Sequence, residues 1–548
     1  MGMSAGCNKP MERESGMSGS MGRLMVLMLW LTSVACFALE PEAETTPVPD
    51  EVALAAMAET MVIRDDRVLR AAVSSFQTGY EGGTFWLDQQ RLPQLLGALD
   101  ELVTDGLNPA DYGVESLRAW QRRGGQDAAM ENLATRAYLL ALLHLYRGKV
   151  DPVALDAHWN FAPATPDLQG LLAKAREAVD AGRIASAFTY ARPVRPEYNV
   201  LRAALARLRG QVYEGGWPVV PAGKPLKPGM TDARVAILRS RLQQAGLASR
   251  VLTGEPTFFD DELALALMRF QREAYLEPDG VAGPQTLKVL NVPLQQRIDQ
   301  LRANLERMRW VHDPGMGPMV VVDIAGFRIV YMREGKAAWV SRVQVGRAYR
   351  STPVFRATIT HLTLNPTWTV PPTIMAKDVL PKVRKDRGYL RRNNLRVFTR
   401  DGRTIPEGSV NWWRPGNIIL RQDAGEGNSL GQLAIRFPNP YAVYLHDTPH
   451  KELFESSQRA FSSGCTRVEN VHELAVLLLD DPVNWSREAL DAAIAEGKTR
   501  QVDLVAPIPI MLVYWTVDVA ADGYVSFKVD IYERDQPLVS VLDRAVVM

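Results

Sequence analysis

Cys465 lies in the segment RAFSSGCTRVEN, directly after Gly464 and two positions ahead of Arg467. A thiol attacks as its anion, so it needs a base or electropositive surroundings, and acyl transfer also needs donors for the developing oxyanion. Each of these stands close by in the sequence. His446, in VYLHDTPHKELF, ends a strand-like run 19 positions before the cysteine. A strand end and the loop after it can return to each other over that span. Gly464 lets the backbone approach a substrate closely, and the N–H groups around Gly464 and Cys465 are candidate oxyanion donors. Arg467 is a permanent cation that can favour a thiolate or hold a carboxylate. On residues alone the pattern is only moderately specific, and an inert buried cysteine stays open as a reading.

Other chemistries find less support. His446 and His450 are four apart, the spacing of a zinc pair on a helix, but Pro449 and the turn-like DTP argue against a helix there. No metal and no cofactor is therefore expected. His144, His158, His312, His361 and His472 have no ligand pattern and read as packed or surface side chains. There is no phosphate loop or dinucleotide fingerprint. The net charge of +1 gives no bulk field to recruit nucleic acid. A papain-like order would place the cysteine before the histidine, the reverse of what is found.

The chain holds three cysteines, Cys7, Cys36 and Cys465. Leu24–Leu39 is an apolar run of 16 residues behind Arg23, short for a spanning helix of about 20. It reads as a signal peptide or a membrane anchor within 1–40, with Met21 as an alternative start. Removal after Ala38 would leave Cys465 without an intramolecular disulfide partner, which argues for a chemical use of the thiol.

The elements that must position these residues fall into blocks. After a Pro/Glu/Thr linker at 41–50, apolar residues recur at three and four positions from 51 to 214, the pattern of a helical domain. A Gly/Pro-rich connector, 215–230, leads to a compact unit at 228–293. Two amphipathic helices carry Val235, Leu238 and Leu242, and Leu263, Leu267 and Phe270. Pro284 starts a third. From about 317 the period changes to two and the composition to Val, Ile, Thr and aromatics, predicting a β domain to about 535. VENVHELAVLLLDD reads as a helix, and IPIMLVYWTVDVAADGYVSFKVDIYERD as two strands around Ala521–Gly523. The expected class is multidomain α+β: a helical scaffold, a three-helix unit and a mostly-β domain. KVRKDRGYLRRNNLRVFTRDGR, 382–403, reads as part of an insertion near 377–435, either a lid over the site or a solvated basic loop. Trp412 and Trp413 within it are candidates for stacking on substrate or for packing.

HDTP…SSGCTRVEN resembles the catalytic signature of the L,D-transpeptidases of the YkuD type, with Ser463 where many members have histidine. SSGC and LNPTWTVPPTI point to the large multidomain subgroup. FQREAYLEPDGVAGPQTLKVLN resembles a peptidoglycan-binding domain, and 51–214 fits the subgroup's scaffold. The resemblance implies that Cys465 is the nucleophile and His446 its base, oriented by a backbone carbonyl just after it. Ser463, Gly464 and Arg467 would shape the oxyanion loop or steady a substrate carboxylate. Trp368 would contact substrate, and Tyr444, two positions before His446 on the same strand face, would either line the pocket or pack in the core. It further implies 3→3 cross-linking of peptidoglycan tetrapeptide stems through a thioester, with carboxypeptidase side activity when water is the acceptor. The partners are stem peptides and glycan, and the location is the periplasm. The rival expectation is a non-catalytic wall-binding protein.

Overall fold

A computed structural model describes residues 66–77, 85–86, 90–156, 159–161, 167–249, 254–311, 317–425 and 427–546. The apolar segment at 24–39, Cys7, Cys36, the 41–50 linker, His158 and His312 lie outside them. Among the described residues no helix is long and apolar enough to cross a membrane.

The scaffold is helical, and Ala128–Arg147 is its central element. Its sequence is apolar on nearly every side, and residues from Ala134 to Leu145 are largely buried. Asp127 caps its start by accepting from the N–H groups of Ala129 and Met130, and Gly148 stops it. Around it pack Asp66–Gln77, Arg91–Glu101, Val114–Arg123 and Ile184–Ala191. Strand β1, Trp159–Asn160, leaves the scaffold and joins the main sheet.

The three-helix unit comprises Ala233–Gln244, Asp261–Glu273 and Pro284–Leu290. Val235, Leu238, Leu242, Leu263, Leu267 and Phe270 all face its core, which is separate from the main one. Asp232 and Asp260 cap the first two helices. Gln271 fixes the last turn, donating to Asp279, the Val281 carbonyl and Thr286, and accepting from the Gly280 N–H.

Leu294–Trp310 then runs between the scaffold and the β domain, buried even at its charged positions. Arg309 and Glu306 pair at 2.5 Å, both fully buried, and Arg309 also donates to the Tyr198 hydroxyl and the Asp105 carbonyl. Every polar group on such a helix needs a partner, and these tie three segments of the chain together.

The β domain begins with β2 (Met319–Asp323), β3 (Arg328–Arg333), β4 (Lys336–Gly346) and β5 (Val354–Leu364). An insertion follows: helical segments between Pro372 and Arg392, with β6 (Trp368–Thr369), β7 (Leu395–Thr399), β8 (Thr404–Ile405) and β9 (Ile418–Gln422). These four strands form their own sheet in the order β6–β9–β7–β8. Val370, Val383, Leu390, Val397, Trp412 and Leu420 give it a separate core. The basic stretch 382–403 is thus folded into helix and strand rather than left as a loop. The chain then returns through β10 (Leu433–Arg436), β11 (Leu445–His446), β12 (Ala460–Ser462), β13 (Thr466–Val468) and β14 (Arg500–Val513), before a hairpin of β15 (Val517–Val519) and β16 (Val525–Phe527).

The main sheet runs β5–β10–β11–β13–β4–β3–β2–β14, and β14 also pairs with β5, which closes it. Closure explains one difference from the sequence reading. IPIMLV is not the first arm of a terminal hairpin. It is the strand that shuts the barrel, parallel to β2 on one side and antiparallel to β5 on the other. Only VDV and VSF form the hairpin. VENVHELAVLLLDD is helical at Val471–Leu479.

Candidate active site

Register decides which side chains meet. β11 and β13 run parallel, Leu445 opposite Thr466 and His446 opposite Arg467. One step back, Tyr444 lies opposite Cys465, and its carbonyl accepts from the Thr466 N–H at 3.2 Å. Cross-strand partners share a face and alternate residues return to it. Tyr444, His446, Cys465 and Arg467 therefore occupy one face of two adjacent strands, with His446 and Cys465 as diagonal neighbours. The Tyr444 and His446 rings lie 5.6 Å apart.

His446 is 4 % exposed. Its Nδ1–H donates to the Asp447 carbonyl at 2.5 Å, which leaves Nε2 as the basic nitrogen. The Asp447 carboxylate is committed elsewhere, accepting from Lys451 Nζ at 2.7 Å and from the Gln432 N–H at 3.0 Å. Any side chain at Gly431, where φ is +62°, would strike that carboxylate. Asp447 is a structural anchor here and not the acid of a triad. Burial, with the Arg467 charge second, pulls the His446 imidazole down to about 3.

Cys465 is half-buried. Burial pushes its thiol above the usual range, while hydrogen bonds from the Tyr444 backbone and hydroxyl and the charges of Arg436 and Arg467 act against that shift. The resting pair is thus a neutral thiol beside a neutral imidazole. Thiol alkylation by iodoacetamide is then expected to accelerate with pH up to and beyond 9, with no inflection near the ordinary histidine value of about 6.5. A plateau reached by pH 7 would show a thiolate–imidazolium pair at rest and contradict this assignment.

The loop before the cysteine is held from beneath. Gly464 has φ +115°, which a side chain would strain. Its N–H donates to Ser462 Oγ at 3.1 Å, and Ser462 Oγ donates to the Cys465 carbonyl at 2.5 Å. The Gly464 N–H is therefore occupied and is not an oxyanion donor. The Cys465 N–H has no acceptor among the described residues. The Gly464 carbonyl accepts from Thr352 Oγ1 at 2.9 Å, and Tyr532 holds Thr352 in turn, accepting from its N–H at 3.1 Å while donating to the Gly346 carbonyl at the end of β4 at 2.7 Å. Ser463, nominated from sequence for the oxyanion loop, points outward and accepts from Arg350 at 3.0 Å. Ser462 is the serine that shapes the turn. Arg467 donates to Gln344 at 3.1 Å, which holds it along the sheet.

The remaining nominated residues separate by location. Trp368 is on β6 opposite Gln422, half-buried against the core of the insertion. Trp412 is in that core, donating to the Glu407 carbonyl, while Trp413 is 70 % exposed under Arg384. His450 lies near Glu452, away from the row that holds His446. Among the described residues no group of His, Cys, Asp and Glu is arranged to hold a metal. A cavity of about 240 Å³ opens at the junction of scaffold and barrel, lined by Trp159, Trp310, Ser351 and Arg534 among others.

Three family models match, and they divide the chain as the fold does. Residues 317–484 match the L,D-transpeptidase catalytic domain, 71–205 a scaffold domain and 231–290 a "Putative peptidoglycan binding domain". The chain is a multidomain protein carrying the L,D-transpeptidase catalytic domain, joined to scaffold and peptidoglycan-binding domains. A Haemophilus influenzae protein named "Putative L,D-transpeptidase" is 32 % identical over 242 residues, 44 % of this chain and 48 % of that protein. The chain thus spans about half the length of the curated relative it matches. A crystal structure of the L,D-transpeptidase (residues 123–326) from Xylanimonas cellulosilytica is 15 % identical, covers 54 % of this chain and 99 % of its own, and has a TM-score of 0.17. A fused Zn-dependent amidase/peptidase and peptidoglycan-binding protein from Clostridium acetobutylicum is 11 % identical, with 53 % and 100 % coverage and a TM-score of 0.16. TM-scores this low carry no argument.

Proposed function

We propose that the chain is a cysteine-dependent L,D-transpeptidase that forms 3→3 cross-links between peptidoglycan stems outside the cytoplasmic membrane. The observation that supports this best is the shared face of Tyr444, His446, Cys465 and Arg467, with the His446 Nδ1–H bound to a backbone carbonyl. In the reaction, His446 Nε2 takes the Cys465 proton as the sulfur attacks the carbonyl of the third residue of a tetrapeptide stem. The Cys465 N–H receives the oxyanion. The C–N bond breaks, D-alanine leaves with the proton from His446, and a thioester remains. The side-chain amine of a second stem's third residue then attacks, loses its proton to His446 and releases the thiol. Water in its place gives a carboxypeptidase. One peptide bond is exchanged for another, so no nucleotide is consumed. Purified tetrapeptide-bearing muropeptides incubated with the protein should yield cross-linked dimers, and Cys465→Ala should yield none. Monomers alone, with the fold confirmed, would leave a wall-binding protein.

The insertion at 368–422 is assigned here as a lid. Arg350 supports this: its guanidinium pairs with Asp378, in the helical part of the insertion, and also donates to Ser463, two positions before the nucleophile. One residue thereby links the insertion to the catalytic loop. Asp378→Ala is expected to lower kcat by about 10-fold, the scale of losing a charge-assisted bond. Unchanged turnover with the fold intact would remove the lid role.

A further inference from the structure

Beside Cys465 on the same face stands a cation that the sequence reading passed over. β10 and β11 are antiparallel, with Ala434 opposite His446 and Ile435 opposite Leu445. The next step places Arg436 opposite Tyr444, and its guanidinium lies 4.1 Å from the centre of the Tyr444 ring. Tyr444 is itself opposite Cys465. The strands thus set Arg436, Tyr444 and Cys465 in one transverse row, with Arg467 one step along.

Most arginines around this site have a partner. Arg350 has Asp378, Arg342 has Glu455 and Glu469, and Arg467 has Gln344. Arg436 is half-buried, and no carboxylate lies within ion-pair distance of it among the described residues. Its neighbour on the other side is His361 on β5, and Asp503 on β14 comes only beyond that, held by Gln501. A half-buried guanidinium with an aromatic floor and no counter-ion is a prepared anion site, because Arg binds carboxylates in a fixed fork. Its charge is felt at the sulfur as well.

We propose that Arg436 binds a carboxylate of the donor peptide next to the scissile bond, and so makes the enzyme selective for donors in which that carboxylate is free. This rests on the acyl-transfer reading above. Two carboxylates fall within a residue of the scissile bond: that of the C-terminal D-alanine, and the side-chain carboxyl of a third residue that is a diaminodicarboxylic acid. The two share one chemistry, and amidating each in turn tells them apart.

The test uses the full chain and three synthetic tetrapeptides: the free acid, its C-terminal amide, and its third-residue side-chain amide. With wild type, one of the two amides should raise KM by about 10- to 100-fold, the scale of a hydrogen bond to a charged group. Arg436→Gln should lower kcat/KM for the free acid to the level of that amide and equalise the two, while Arg436→Lys keeps part of the discrimination. A merely structural arginine would weaken all peptides alike. Equal kcat/KM for the three peptides in wild type, or discrimination that survives Arg436→Gln, would overturn the assignment. Calorimetric binding to Cys465→Ala makes the same comparison without turnover. Equal affinities there would also overturn it. Selective binding without turnover by wild type would instead overturn acyl transfer and leave the Arg436 contact standing.

Discussion

Cys465→Ala should lower cross-linking by about 10⁴-fold or more, the scale on which removal of a nucleophile acts in covalent catalysis. His446→Ala should fall to nearly the same level, and the double variant little further, because in the proposed mechanism the two groups act in one proton-coupled step. The structure gives the reason. Burial pushes the Cys465 thiol above the usual range, so near neutral pH the proposed route to the attacking thiolate is transfer of its proton to the neighbouring imidazole. The Nδ1–H bond to Asp447 O commits the ring to the tautomer that can do this. Folding should be little affected, since truncation removes only a long 3.8 Å contact to the Ala442 carbonyl and the thiol's hydrogen bonding with Tyr444. Measured rates of dimer formation for the three variants check the claim. Substantial activity in Cys465→Ala would refute it.

Lys149→Ala should weaken the joint between scaffold and C-terminus by about 3–5 kcal/mol, the range for removing one partner of a buried ion pair. Lys149 is fully buried. Its Nζ lies 2.7 Å from Asp111, 2.7 Å from the Leu542 carbonyl and 2.7 Å from the Arg544 carbonyl. Truncation strands two carbonyls without the Lys149 donor and leaves the Asp111 carboxylate in low dielectric with only a long bond from the Val546 N–H. Lys149→Met with Asp111→Leu should recover part of the loss, because it removes the stranded charge. A chain of this size need not unfold in one step, so the appropriate readout is amide exchange in Asp535–Leu542. Protection there should drop by roughly 10²- to 10⁴-fold. Unchanged exchange would mean that the pair contributes nothing to holding that helix.

What could be read in the sequence follows from the range over which each feature is determined. The three-helix unit was legible because its helices are amphipathic and locally capped: Val235, Leu238, Leu242, Leu263 and Leu267 are all fully buried. Cys465, His446 and Arg467 were legible because a short return connects two strand ends. Arg436 was not. It stands ten positions before His446 in a run with no catalytic motif, and only the β10–β11 register brings it beside Tyr444. Ser462 was hidden by Ser463: two adjacent serines look alike, and strand direction alone decides which is buried. Thr352 holds Gly464 from 112 positions away along the chain, and Tyr532 holds Thr352 in turn from 180 positions away. No local pattern encodes such contacts. The closing role of IPIMLV also went unread, because a strand buried between two partners has the same composition as a hairpin arm.

The most direct test is the intact mass of the protein after brief exposure to a tetrapeptide donor without acceptor, quenched in acid. The account predicts an adduct on Cys465 equal to the donor less D-alanine, absent from Cys465→Ala, and discharged when an amine acceptor is added. Turnover with no such adduct under any quench, or an adduct on another residue, would contradict it.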